Sequence, residues 1–482
     1  MDKSSRIFGN EIPGRVVRKA EHTKAGYIRR YGDDADEIYH LGTVPAPAVG
    51  EALGVQQLVL RRTPEVTFDA RSLVIGNIRM GFGHYRISMA MASAAHALGY
   101  TPYWFDLHGF EGTTGTKVIA GQNKLYSLGS RLSQQVGLFN RLVWEPLNSE
   151  GFRRLSYNAG DQKTAELMVP LFRDLPRDLP FLATHVWPAQ AAVHAGMHRV
   201  VNAIPDNWPM ALHLAEGAVH TVQTPSAYLG YRVLRGMDPT RPLRPMPKTA
   251  IRYTGHYVDH ELVANLDADC TRRERRAASG APRRWLMSVG GAGAQKEIFV
   301  TVIRRLLPVI RKGRAVLLIN VGDHRDVWQS LLREVPEMLP LTQTHTDDFA
   351  ATQQFADEAL DGEITGIHMF CHRDIFSAVY STNLLMRIAD ILITKPGELS
   401  FYPVPKLMIR RVGGHEAWGA IRAAEIGDGT YECATPGETD AMLRLLQTQG
   451  DVLAQMCAFI RSAAAAGIYN GAYEAVKLAV QK

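Results

Sequence analysis

One local device, used twice, constrains this chain more than any other feature. Residues 74–86, Val74-Ile75-Gly76-Asn77-Ile78-Arg79-Met80-Gly81-Phe82-Gly83-His84-Tyr85-Arg86, carry an apolar strand pattern into a glycine turn, and Ile87–Leu98 follows with helical apolar spacing. The device returns at Arg284-Trp285-Leu286-Met287-Ser288-Val289, followed by Gly290-Gly291-Ala292-Gly293 and helical spacing to Ile310. Glycine removes the side chain where the backbone must bend or be approached closely, and the amides that open a helix favour an anion. Two strand–glycine–helix units predict two nucleotide-fold domains, each with a ligand at its turn. The length of 482 residues agrees, because a single core rarely serves more than about 300.

No run of about eighteen apolar residues is present, and Met1-Asp2-Lys3-Ser4-Ser5-Arg6 lacks the apolar core of a signal peptide. A soluble, cytoplasmic protein is expected. Cys270, Cys371, Cys433 and Cys457 lie far apart with no paired spacing for zinc or a redox dithiol, and read as reduced, buried thiols. The net charge of +6 suits an anionic partner such as a nucleotide or an acidic lipid surface. The densest basic run, Arg272-Arg273-Glu274-Arg275-Arg276, has no interleaved aromatics of the kind that stack on single strands. It reads as a solvated inter-domain linker, and no nucleic-acid partner is expected.

Residues 1–68 are polar and punctuated by glycine and proline, and read as an extension packed on the first domain. Strand and helix patterns then alternate, with strands at Leu73–Ile78, Thr101–Leu107, Phe181–Thr184, Arg199–Ala203 and Ala218–Gln223. After a basic linker over 258–280 the alternation resumes with Trp285–Val289, Ala315–Val321, Ile364–Phe370 and Ile391–Thr394. Alternation of this kind predicts α/β domains with parallel, doubly wound sheets, here 69–257 and 281–438. The alanine- and leucine-rich 439–482 predicts helices that cross back to the first domain.

Four segments, in order, resemble a known family. Gly81-Phe82-Gly83-His84 resembles an N-terminal glycine–histidine turn, and Ser288-Val289-Gly290-Gly291-Ala292-Gly293 a glycine loop that opens a C-terminal domain. Ala389-Asp390-Ile391-Leu392-Ile393-Thr394-Lys395-Pro396-Gly397 is similar to an "AADLLITKPGG" segment, and Gly413-Gly414-His415-Glu416 to a later "PGQE". The resemblance, over about residues 72–440, is to GT-B glycosyltransferases. The branch is that of monogalactosyldiacylglycerol synthases, processive diacylglycerol glucosyltransferases and the peptidoglycan lipid-intermediate N-acetylglucosaminyltransferase. It implies two facing Rossmann-like domains with a deep cleft. It also implies metal-independent transfer of a hexosyl unit from a nucleotide-diphosphate sugar, bound as co-substrate without a further cofactor. The acceptor, a lipid, glycan intermediate or small molecule, stays open, and peripheral contact with an anionic membrane surface is among the implied partners. Two departures stand out: Pro403 falls where the family carries a helix, and Gly419 or Ala420 stands where it has an asparagine.

Glycosyl transfer needs a base for the acceptor hydroxyl, a cradle for the leaving diphosphate and groups that hold the sugar. His84, on the first glycine turn, is the candidate base, since a histidine ordinarily titrates near neutrality; the alternative is a turn histidine that only caps. Gly83, Arg86, Asp206 and Trp208 are placed on the acceptor side. Ser288, Gly290, Gly291, Gly293 and Lys395 are assigned to the diphosphate, Gly397, Glu398, His415 and Glu416 to the sugar and ribose, and Phe370 to the nucleobase. Asp267-Ala268-Asp269 superficially matches a metal-binding pair but adjoins the basic run, and no metal site is expected. Gly-x-Gly-x-x-Gly fails at its third glycine, and Walker, His-Glu-x-x-His and Gly-x-Ser-x-Gly patterns are absent. An epimerase or hydrolase acting on a nucleotide sugar, and a non-catalytic binding protein on the same frame, are the alternatives.

Overall fold

The computed structural model describes residues 2–46, 49–79, 81–135, 151–289 and 295–481, without side chains for 51 and 126–135. The glycine loop Gly290, Gly291 and Gly293 lies outside the described residues. The chain divides into two compact units, one of Met1–Tyr257, Gly413–His415 and Asn470–Lys482, the other of Val258–Val412 and Glu416–Tyr469.

The first unit holds strands β1 (His40–Pro45), β2 (Gln56–Arg61), β3 (Ser72–Asn77), β4 (Thr101–Asp106), β5 (Phe181–Ala183), β6 (Val200–Ala203), β7 (Val219–Val222) and β8 (Ile251–Tyr253). They form one eight-stranded sheet in the order β8-β7-β6-β5-β3-β4-β2-β1. All neighbours are parallel except β1 and β2. The N-terminal extension therefore contributes an antiparallel edge pair to the sheet. Every residue of β3 is buried, as a central parallel strand requires. Gly76 is obligatory there: a Cβ would stand 2.4 Å from the Phe181 ring and 3.0 Å from Pro188. The chain leaves β3 toward β4 on one side and later returns to β5 on the other, so the topological switch point lies between β3 and β5.

The second unit repeats the plan with β9 (Arg283–Ser288), β10 (Ala315–Asn320), β11 (Thr342–Thr346), β12 (Gly366–Cys371), β13 (Ile391–Thr394) and β14 (Lys406–Met408). The order is β11-β12-β10-β9-β13-β14, all parallel, with the switch point between β9 and β13. The helix Lys296–Arg311 turns Ile298, Phe299, Val302, Ile303, Leu306 and Ile310 into the core. Their spacing of three and four makes one face, and each full burial is worth about 1.5–3 kcal/mol. The architecture is thus α/β, two units with doubly wound sheets.

Two expectations fail. The basic run is no solvated linker, since Leu266–Ala278 is a helix. Its Arg273 is 1% exposed and donates to the carbonyls of Ala389 (2.9 Å) and Met386 (2.8 Å). Arg276 pairs with buried Asp390 at 2.8 Å. Asp269 is held by Arg272 and Arg387. The C-terminal helices also divide: Pro436–Thr448 and Gly450–Ala465 pack in the second unit, and Gly471–Val480 packs on Gly83–Ala97 in the first. Among the described residues no helix is long and apolar enough to cross a membrane.

Candidate active site

Polar side chains of the first unit gather at the carboxyl ends of β3, β5 and β6, where an open α/β sheet leaves a crevice. After β3 the backbone turns through Gly81, whose φ of 87° is left-handed, and the helix Gly83–Ala97 begins at once. His84 is therefore fixed on a first helical turn. Its Nδ1 lies 2.7 Å from the carbonyl oxygen of Thr184, just past β5. A carbonyl only accepts, so Nδ1 carries a proton, and in the neutral form of the ring the lone pair is on Nε2. The hydroxyls of Ser88 and Thr184, 2.7 Å apart, tie the same helix to the same strand end. This pair of contacts spans the switch point.

His185 follows directly. Its Nδ1 accepts from the amide of Trp187 at 3.1 Å and caps the helix Val186–His194. Its ring stands 4.8 Å from that of His84 at 79°. Burial drives His185 well below the usual histidine range, and His84 and His213 push the same way, so it is neutral. The indole of Trp187 donates to Asp161 at 3.0 Å. Burial pushes that carboxyl up to about 8 against the indole bond.

Asp206 lies in the loop after β6, which Gln223 pins by donating to the Pro205 carbonyl at 2.8 Å. Its carboxylate is 3.1 Å from His213 Nε2. Burial works to raise Asp206, but the His213 contact, with the fields of His415 and His84, outweighs it and holds the carboxyl below the usual carboxylate range. His213 thus contacts one ionised carboxylate that His84 and His415 also influence, all within a single unit. Trp208, on the same loop, has the Arg153 guanidinium 4.7 Å and that of Arg235 5.8 Å from its ring. Gly83 and Arg86 are buried in the helix turn below His84.

In the second unit Ser288 ends β9 and Lys395 follows β13, so the two flank its switch point. Lys395 Nζ bonds the Glu416 carboxylate, whose other oxygen accepts from the Val412 amide at 2.7 Å. A Cβ on Gly397 would meet Lys395 Nζ at 2.9 Å. Glu398 opens a short 3₁₀ turn, Glu398–Phe401, which stops before Pro403; the expected helix is reduced to that turn because proline cannot continue it. Gly419 is set by contact, since a Cβ would be 2.4 Å from the Pro396 carbonyl oxygen. No asparagine fits there. Phe370 is not at a ligand face: it is fully buried, stacked on His345 at 4.5 Å and packed against Phe355.

The structure gathers His84 and Asp206, singled out in the sequence on the acceptor side, with His415, which the sequence reading puts on the donor side, and with His185 and His213, which it does not name. His185 had a signal, its place at the end of a strand. His213 had none, because only the fold brings it to Asp206. Among the described residues no group of three or more His, Cys, Asp or Glu is arranged to hold a metal ion.

Residues 6–233 match a family model described as a domain of unknown function (DUF6937), and residues 246–480 match a second (DUF6938). No curated protein matches the chain. Solved structures similar to it include UDP-GlcNAc 2-epimerase from Neisseria meningitidis bound to UDP-GlcNAc, 12% identical, over 84% of this chain and 99% of that one, with a TM-score of 0.43. A trehalose 6-phosphate synthase from Burkholderia multivorans is 13% identical over 85% and 98%, with a TM-score of 0.44. A glycosyltransferase from Rickettsia africae is 12% identical over 85% and 96%, with a TM-score of 0.37.

Proposed function

We propose that this chain is a nucleotide-sugar enzyme of the GT-B kind, and within that class a metal-independent glycosyltransferase with His84 as general base. The observation that carries the reading is the Nδ1–H bond from His84 to the Thr184 carbonyl at 2.7 Å, which sets the Nε2 lone pair at the switch point of the first sheet. The acceptor belongs to that crevice. Its hydroxyl gives its proton to Nε2, its oxygen bonds the anomeric carbon, and the bond from that carbon to the diphosphate oxygen breaks. Asp206 then stabilises the imidazolium that forms. The nucleoside diphosphate belongs to the second unit, at the carboxyl ends of β9 and β13, where Lys395 supplies charge. Lys395 is held ready by Glu416, which a phosphate oxygen replaces as partner.

A second reading, a nucleotide-sugar epimerase or hydrolase, is favoured by the Asp206–His213 contact at 3.1 Å. That pair offers an acid and a base with no acceptor needed. Thermal-shift titration of the wild type and Lys395→Ala with nucleoside diphosphates and nucleotide sugars tests the shared part. Stabilisation of the wild type that weakens in the variant supports it; no shift with any nucleotide overturns it. Turnover of a nucleotide sugar without acceptor would select the second reading.

A further inference from the structure

Within the second unit a cavity of about 430 Å³ opens at the amino ends of β9 and β12, a volume in the range of small-molecule sites, about 300–1,000 Å³. Its wall includes Arg275, Arg276, Ser279, Arg284, Asp361 and Glu363. β9 runs from Arg283 to Ser288, so the cavity lies at the opposite end of the sheet from the crevice beside Ser288 and Lys395. Arg284 decides its chemistry. It is 6% exposed, and its guanidinium donates to main-chain carbonyls alone, those of Ala359 at 2.5 Å, Gly362 at 2.6 Å and Ile388 at 3.5 Å. Among the described residues no carboxylate forms an ion pair with it. Burial and the repulsion of Arg276 lower its pKa to about 10, against the pull of Asp390 and Asp361, so it stays charged at neutral pH. The acids nearby are already engaged: Asp390 with Arg276 at 2.8 Å, and Asp361 with Arg275 at 2.8 Å and Arg272 at 3.4 Å. Glu363 is exposed and forms no ion pair among the described residues. Arg276, 8% exposed, turns Nε and Nη2 to Asp390, and its Nη1 has no hydrogen-bond partner among the described residues. A buried guanidinium without a counter-charge is costly, and here it borders a space that an anion can enter.

We propose that this cavity binds a phosphate group, free or carried by a small phosphomonoester, with Arg284 and Arg276 as its cationic donors. A dianion supplies the counter-charge that Arg284 lacks and an acceptor for Arg276 Nη1, since both oxygens of Asp390 are already taken by Arg276 and the Arg284 amide. Guanidinium forks match phosphate oxygens, and such charge-assisted bonds are the strong kind. The Ser279 hydroxyl donates to the Arg276 carbonyl at 3.2 Å, a long bond for a hydroxyl, and can turn to the ligand as a third donor. A carboxylate brings a single charge and two oxygens in one plane, a poorer match to donors from a helix, its end and a strand. The volume leaves room beside the phosphate for an organic body. Neither Lys395 nor Ser288 lines the cavity, and the site is independent of the glycosyl-transfer reading.

The test is isothermal titration calorimetry of the full chain with inorganic phosphate, glycerol 3-phosphate, glycerol and acetate at constant ionic strength. The wild type should bind both phosphates, more tightly than acetate, and should not bind glycerol. Tighter binding of glycerol 3-phosphate than of inorganic phosphate identifies a phosphomonoester as the occupant, and equal or weaker binding identifies phosphate itself. Ser279→Glu, at an exposed position, sets a carboxylate against the two guanidiniums and should weaken phosphate binding about tenfold or more, the worth of one hydrogen bond to a charged group. Arg284→Gln should do the same. Circular dichroism checks folding, and if Arg284→Gln does not fold, Ser279→Glu carries the test. Lys395→Ala should bind phosphate as the wild type does, which separates this cavity from the nucleotide site. Binding of neither phosphate, binding of acetate or glycerol as tight as that of phosphate, unchanged affinity in folded Ser279→Glu, or a loss in Lys395→Ala equal to that in Ser279→Glu would each overturn the proposal.

Discussion

Replacing Asp161 by asparagine should change the pH dependence of stability in a calculable direction. Asp161 is 3% exposed; its Oδ1 accepts from the Trp187 indole at 3.0 Å, and Oδ2 has no hydrogen-bond partner among the described residues. Burial raises its pKa from 3.8 to about 8. A carboxyl raised on folding binds more protons in the native state than in the unfolded one. Stability therefore falls as pH climbs between the two values, by about 1.4 kcal/mol per unit while the native group stays protonated. From pH 4 to pH 8 the loss approaches about 5 kcal/mol, an upper bound because the unfolded reference retains structure. Asparagine keeps the acceptor for Trp187 but places a second amide hydrogen where no partner stands, at a cost of about 1–3 kcal/mol that does not vary with pH. The signature lies in the slope. Urea melts of both proteins from pH 5 to pH 8 should show the wild type losing stability relative to the variant. Parallel profiles would refute a neutral buried carboxyl at this position. Trp187 packs beside His185, which faces His84, so a wild type ionised at high pH should also lose site order.

Gly76→Ala should destabilise the first unit by about 1–3 kcal/mol, read by urea melts, because its Cβ would enter the Phe181 ring at 2.4 Å. Gly419→Asn should lower nucleotide affinity by about tenfold or more in a titration, with circular dichroism unchanged, because the new Cβ would stand 2.4 Å from the Pro396 carbonyl oxygen and force the Lys395–Gly397 turn to move. An unchanged affinity would take that turn out of the site. His213→Ala removes the contact that, against burial, holds Asp206 low. A depressed carboxyl stabilises above its unfolded value and loses that stabilisation as pH falls through the folded one, so the variant should unfold at a higher pH during acid titration.

Much of the fold was legible because β3, β9, β10 and β13 are apolar runs bounded by turn residues, which is what a central parallel strand demands. Edge strands were not. β11 reads Thr-Gln-Thr-His-Thr, half of it facing solvent, and β14 is three residues long beside Pro403 and Pro405. The basic run misled because a buried arginine is indistinguishable in sequence from a solvated one; the carbonyls and the carboxylate that receive Arg273 and Arg276 lie more than a hundred residues away. Phe370 misled because a strand pattern does not say which neighbour covers the ring. In the site, His84 was marked by its glycine turn, whereas the bond that gives it a tautomer comes from Thr184, a hundred residues along the chain, and the Asp206–His213 contact depends on how one loop folds back on itself.

The most direct test of the account is nucleoside diphosphate release from a nucleotide sugar in the presence of acceptor, measured for the wild type and His84→Ala beside the nucleotide dissociation constant of each. General-base assistance is typically worth about two to four orders of magnitude. The account predicts a loss of turnover of that size with nucleotide affinity within about twofold, the pattern of an interaction made only in the transition state. A loss below about fivefold, or one matched by an equal loss of nucleotide binding, would contradict His84 as the base.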